Sequence, residues 1–175
     1  MNFEKCLEKG KMGESLISLY FLEKGWMVLP VYEKTDKDFK GPVLHVSSKD
    51  SLIAPDLLVF KKEKVYWIEA KNKSAFSWHR NTKRWVTGID KHHFRHYLEI
   101  GKRRPEWPIW IFFLQGRGIA KDTPEGLIPP TGLFCNDLAF LKENINHESD
   151  NYGRTGMVYW SEDKLKKILD WTGEA

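Results

Sequence analysis

The sequence predicts an α/β domain in which a mixed β-sheet is covered by helices as a layered sandwich. Three observations predict it. Residues 3–24 carry apolar side chains at steps of four and three, the period of a helix with one buried stripe. Leu57–Phe60 and Val65–Ala70 are short apolar runs joined by the polar turn Lys61–Lys64. Ile109–Leu114 (IWIFFL) is apolar throughout, which suits a strand covered on both faces. The whole chain then reads α-β-β-β-α-β-β-β-α, the pattern of helices packed on a sheet.

The first helix should stop at Gly25, a left-handed terminator. Phe3, Leu7, Gly10, Glu14, Ile17 and Phe21 share its stripe, so Glu14 is a carboxylate on the face expected to be buried. Trp26–Tyr32 is a strand, and Pro30 marks it as an edge or a bulge. Glu33–Ser51 is a long polar excursion with one short strand near Val43–Val46. After the hairpin, Ser74–Gly88 reads as a basic, aromatic loop. Asp90 reads as the N-cap of a short helix, Lys91–Ile100, stopped by Gly101 and Pro105. Gly116–Gly132 is a loop, Leu133–Leu141 a strand and Asn144–Thr155 another loop. A strand from Met157 and a helix capped by Ser161, with Leu165, Ile168 and Leu169 inward, complete the chain.

At 175 residues the chain is expected to form a single domain, residues 1–175, large enough for its own core. No segment approaches the length of a membrane span, and MNFEKCLEKGK lacks the apolar run of a signal peptide. Cys6 and Cys135 stand far apart without metal-ligand spacing, so reduced thiols and a cytoplasmic location are expected. The net charge of +4 is distributed unevenly. From Lys61 to Arg104 thirteen Lys or Arg face four Asp or Glu, a local balance of +9 against −5 for the rest. Such a block suggests a polyanionic partner.

Charge also gathers where a sheet should tolerate it least. If Phe60 pairs with Val65 across a symmetric turn, paired residues sum to 125 and Asp56 falls opposite Glu69. Opposed residues share a face with Cβ atoms roughly 4.5–5.5 Å apart. Lys71, two residues past Glu69, shares that face too. Opposed like charges are destabilising, and Lys71 offsets only part of the cost. The arrangement suits an Asp–Lys–Glu ion-pair cluster at a strand end. A divalent ion between the two carboxylates would offset far more, and Mg²⁺ matches a site of few carboxylates plus water and phosphate oxygens.

Pro55-Asp56 followed by Glu69-Ala70-Lys71 on the next strand resembles the signature of the PD-(D/E)XK phosphodiesterase superfamily. This group includes restriction enzymes, Holliday-junction resolvases and recombination nucleases. Glu14 resembles the acid that many members carry on the preceding helix. The resemblance covers residues 12 to about 114, with 115–175 as a C-terminal extension. It implies a restriction-endonuclease-like three-layer sandwich and a metal-dependent endonuclease or exonuclease. Asp56, Glu69 and the carbonyl of Ala70 would bind Mg²⁺, with Mn²⁺ able to substitute. Lys71 would orient the attacking water, and Glu14 would complete the shell directly, through water, or by supporting a second ion.

The basic block follows this motif directly. Trp78, Trp85, Phe76 and Phe94 alternate with Lys73, Arg80, Lys83, Arg84, Lys91 and Arg95. The cations suit phosphate contacts, and the aromatics suit either base stacking or packing beneath the loop. His93 and Tyr97 share a helix face, resembling the Gln and Tyr of some recombination nucleases with His in place of Gln. Both are candidate nucleic-acid contacts. His92 and His96 have a zinc-compatible spacing, but no Cys or carboxylate nearby completes a site.

The expected function is a Mg²⁺-dependent DNA nuclease that hydrolyses phosphodiester bonds, a natural component of a phage or mobile element. A non-catalytic nucleic-acid-binding protein that keeps the fold is the alternative, and no residue excludes RNA as substrate. Cutting both strands of a duplex would call for a homodimer.

Overall fold

A helix from Phe3 to Glu23 (α1) ends as its sequence demands. Gly25 adopts φ +73°, its N–H bonds to Leu22 O, and the Trp26 N–H reaches back to Phe21 O. The Trp26 and Phe21 rings meet edge to face across this terminus, completing a Schellman closure with its apolar contact. The computed structural model describes residues 3–31, 42–153 and 155–171, with residues 3–9 by main chain only. The side chains of Phe3, Cys6 and Leu7, and residues 32–41, which include the end of the predicted strand Trp26–Tyr32, lie outside this description.

Six strands form the main sheet: β1 (Met27–Pro30), β4 (Leu57–Lys61), β5 (Lys64–Lys73), β8 (Ile109–Gln115), β9 (Gly132–Asp137) and β12 (Lys166–Leu169), in that spatial order. Only β5 and β8 run parallel; the other neighbours are antiparallel. Pro30 lies on the edge strand, where its missing N–H costs no ladder bond. The hairpin has the predicted register, Phe60 opposite Val65 and Leu57 opposite Ile68. A second sheet has the order β10 (His147–Ser149), β11 (Met157–Ser161), β7 (Arg84–Asp90) and β6 (Ser77–His79). Strands β2 (Val43–His45) and β3 (Ser51–Ile53) form a separate pair.

The main sheet lies between two apolar layers. Ile17 and Phe21 of α1 pack on Ile68, Ala70, Phe112 and Leu114. On the other face Trp67, Ile109, Ile111 and Phe113 pack against α2 (Lys91–Arg103), α3 (Leu138–Glu143) and the second sheet through Phe94, Tyr97, Leu141 and Trp160. Strand β8 sends alternate residues into both layers, which explains its unbroken apolar run. The three-layer α/β arrangement read from the sequence is the one observed. Among the described residues no helix is long and apolar enough to cross a membrane.

Four elements differ from expectation. Ser74–Gly88 is a hairpin rather than a loop, with Trp78 paired to Trp85. Its Gly88 is not a loop signal but a point of close approach, since a Cβ there would come within 2.2 Å of Val158 O on β11. Leu133–Leu141 is split, because Asp137 accepts the Phe140 N–H at 2.8 Å and starts a helix. The segment Asn144–Thr155 contains β10. The C-terminal helix is replaced by a 3₁₀ turn at Glu162–Lys164 and by β12; Ser161 makes no side-chain cap and Leu169 is exposed. Lys166–Leu169 instead extends the main sheet as an edge strand on β9.

Gly13 sets the distance between α1 and the sheet, since a Cβ there would lie 2.8 Å from Cβ of Asn72. Gly13→Ala is therefore expected to lower the melting temperature, although alanine favours an isolated helix by about 1 kcal/mol. Thermal unfolding followed by circular dichroism reads this directly.

Candidate active site

The site sits where β5 runs past the end of β4. Asp56 immediately precedes β4, and its main-chain carbonyl accepts the Val31 N–H at 3.0 Å. Its Oδ2 accepts the Ala70 N–H at 2.9 Å, so the carboxylate continues the ladder one step beyond the last backbone pair. In an extended strand the N–H and C=O of one residue point to the same edge, so the Ala70 carbonyl is directed toward Asp56 as well. The predicted juxtaposition of Asp56 and Glu69 is thus present.

Glu69 is 1% exposed. The Tyr97 hydroxyl donates to its Oε2 at 2.6 Å, and the Lys71 ammonium forms an ion pair with its Oε1. Burial works against the charge on Lys71, but Glu69 and Asp56 outweigh it and hold the ammonium above the usual lysine range. Burial, then the charge of Glu69, pushes the Tyr97 phenol well above its usual range, so it remains a donor. Asp90, read from sequence only as an N-cap, makes no side-chain cap bond and instead contributes its charge to Lys71 and Tyr97. Asp56, Glu69 and Asp90 thus surround Lys71 with more negative charge than it cancels.

His93 adds no cation. Burial first, then Lys71, lowers its pKa to about 4, and its Nδ1 is buried without a hydrogen bond. Between pH 6.5 and about 4 unfolded His93 takes up a proton that the folded residue refuses. Stability should therefore fall with pH across that window, by at most on the order of 3 kcal/mol from this residue. Urea titrations should show that slope flatten in His93→Gln.

Glu14 is carried by the layer on the other face of the sheet. It is half-buried on α1, which covers the face bearing Ile68 and Ala70, whereas alternation along β5 turns Glu69 and Lys71 toward α2. Among the described residues no three His, Cys, Asp or Glu side chains converge on a common metal position. A hard cation still fits the remaining donors. Two carboxylates and a main-chain carbonyl form an oxygen-only set, and the local excess of negative charge favours a divalent ion completed by water and phosphate oxygens.

The basic block divides into two groups. Lys73 is half-buried on β5, while Arg80, Lys83, Arg84 and Arg95 are exposed. Arg80 pairs with Asp122 and Arg84 with Asp163. Trp78 and Trp85 meet edge to face at 5.0 Å, each half-buried. Phe76 and Phe94 belong to the core.

Lys91 and Tyr97, expected at a nucleic-acid surface, are internal. Lys91 is 9% exposed and clamps Glu148 and Asp150 at 2.8 and 2.7 Å, so a phosphate would have to displace both acids. Tyr97 is 1% exposed beneath Glu69. Removing its hydroxyl leaves a buried carboxylate oxygen without its donor. Tyr97→Phe is expected to cost about 1–3 kcal/mol in urea unfolding. His96 accepts the Ile53 N–H through Nδ1 at 2.7 Å, which commits that nitrogen to β3 rather than to zinc. The sequence reading also missed Gln115, fully buried at the end of β8, which donates to Thr87 at 2.8 Å and ties the two sheets together. A polar residue closing the run IWIFFLQ was its one signal.

No protein-family model and no curated protein sequence matches the chain. Among solved structures, one similar to it is that of Archaeoglobus fulgidus Hjc, a Holliday junction resolvase from an archaeal hyperthermophile. The identity is 7% and the TM-score 0.48, over 89% of this chain and 90% of that chain.

Proposed function

We propose that the chain is a Mg²⁺-dependent DNA nuclease that hydrolyses phosphodiester bonds at Asp56, Glu69 and Lys71. The observation that carries this reading is the buried acid pair with an adjacent lysine ion-paired to Glu69 near the end of β5. Asp56, Glu69 and the Ala70 carbonyl would hold the ion, with Glu14 acting through water. When bound, the ion supplies a water of lowered pKa and shields phosphate charge.

The residues themselves divide the remaining work. The Ala70 N–H fixes the Asp56 carboxylate, and Tyr97 fixes that of Glu69. Lys71 would serve as an orienting and charge-stabilising group for water and scissile phosphate. Neutral His93 beside it can accept a hydrogen bond from a water without adding a competing charge. Lys73, Arg80, Lys83, Arg84 and Arg95 would contact the backbone of the strand, with Trp78 and Trp85 bracing the hairpin that carries three of these cations.

The test is cleavage of supercoiled plasmid, single-stranded DNA and a four-way junction, each with Mg²⁺, Mn²⁺ and EDTA. Metal-dependent products, lost in Asp56→Ala and Lys71→Ala, are expected, and the preferred substrate defines the subclass. The Lys71–Glu69 ion pair favours one other reading, a fold-retaining DNA-binding protein. That reading predicts no cleavage and DNA binding indifferent to EDTA and to Asp56→Ala.

A further inference from the structure

Strand β8 runs parallel to β5, so the loop that follows it, residues 116–131, emerges at the end of the sheet that carries the acid cluster. The loop is seated on β5 and on Ser74 just past its end. The Gly116 N–H donates to Lys73 O and the Gly118 N–H to Ser74 O, both at 2.9 Å. Asp122 pairs with Arg80 at 3.0 Å and joins the loop to the basic β6–β7 hairpin. Bonds from the Thr123 N–H to Ala120 O and from the Leu127 N–H to Pro124 O close two turns within it, and Pro129 is buried where it returns. Anchored in this way, the loop carries the two most exposed large apolar side chains among the described residues, Ile119 at 74% and Ile128 at 86%. Each stands four residues from the Gln115–Gly132 pair that joins β8 to β9, Ile119 on the outgoing arm and Ile128 on the return. Arg117 and Lys121 flank Ile119, both exposed and neither in an ion pair with a described residue.

We infer that this loop is a DNA wedge, in which Arg117 and Lys121 contact phosphates while the isoleucines enter a groove and part a base step beside the cleavage position. Apolar side chains delivered into a groove by flanking cations are a means of unstacking and kinking a duplex, and isoleucine is stiff enough to serve. Ser74 is three residues past Lys71, roughly 10 Å at the usual rise, so Ile119 lies within about five base-pair steps of the acid cluster. Charge selects the occupant. Asp122 is neutralised by Arg80, which leaves Glu125 as the one other acid of the loop against Arg117, Lys121 and the adjacent Lys73. A second copy docking through the same loop would bring the same cations together, whereas a polyanion satisfies them. The substrate so named is base-paired DNA that bends at the cut, since a single strand needs no wedge. This deepens the nuclease reading and rests on its placing DNA across the end of β5.

Short duplexes carrying 2-aminopurine at successive positions report unstacking as a rise in fluorescence. They are titrated with the wild-type chain in EDTA and again with Ca²⁺. A rise at one position is expected, and it should be absent when Ile119→Ser is combined with Ile128→Ser. That variant should bind duplex at least about tenfold more weakly, the equivalent of one buried isoleucine, with unfolding curves unchanged because both side chains are exposed. Arg117→Gln combined with Lys121→Gln should flatten the slope of log affinity against log salt by about 1.8, the value for two phosphates. The wedge is overturned if duplex binds without unstacking at any position, or if the serine variant keeps both signal and affinity. It is also overturned if that variant instead loses self-association or binding to anionic vesicles. Metal-dependent cleavage without unstacking overturns the wedge alone, and unstacking without cleavage in Mg²⁺ or Mn²⁺ overturns the nuclease reading alone.

Discussion

Asp56→Ala and Lys71→Ala are each expected to lower the rate of DNA cleavage by about a thousandfold or more. The two losses have different origins. Asp56→Ala removes one of two carboxylates and also leaves the Ala70 N–H without its acceptor. Asp56→Asn keeps an oxygen for that N–H and separates the metal contribution from the structural one. Lys71→Ala removes the group proposed to face the phosphate and leaves Glu69, 1% exposed, without its cation. Glu69 is still fixed by Tyr97, so the fold should survive. Cleavage rates and unfolding curves measured on the same preparations distinguish lost chemistry from lost structure.

Trp160→Ala is expected to cost about 3–5 kcal/mol of stability, the largest effect of any single truncation proposed here. The side chain is fully buried, its indole N–H donates to Leu141 O at 2.8 Å, and its ring lies against Phe94 and Phe113. It therefore joins the second sheet, α2, α3 and the main sheet at one point. Truncation opens a cavity at that junction and removes one of the two hydrogen bonds accepted by the Leu141 carbonyl, leaving only that from the Asn144 N–H. Trp160→Phe should recover part of the loss. Equilibrium urea denaturation gives both values.

The parts of the site that the sequence revealed are those governed by local rules. The turn at Lys62–Glu63 sets the hairpin register, and the two-residue alternation then carries Asp56, Glu69 and Lys71 to one face. The helix terminus at Gly25 and the doubly covered β8 follow from equally local signals. The misread elements depend on distant partners. Strand β7 exists because β11, about seventy residues later, pairs with it, and Gly88 is needed for that approach. Lys91 lost its expected role to Glu148 and Asp150, which no spacing rule connects to it. Periodicity placed Glu14 inward but could not say that α1 covers the face opposite Glu69. For Tyr97 it paired the ring with His93 without indicating the carboxylate that its hydroxyl meets.

The central claim is that Asp56 and Glu69 together hold a divalent ion. Titration of Mn²⁺ followed by electron paramagnetic resonance of the free ion tests it without requiring a substrate. The account predicts that the wild-type chain removes about one equivalent of Mn²⁺ from solution, and that Asp56→Asn and Glu69→Gln, both folded, do not. Equal uptake by all three proteins, or none by any, would contradict it and leave the cluster as an ion pair at the end of a strand.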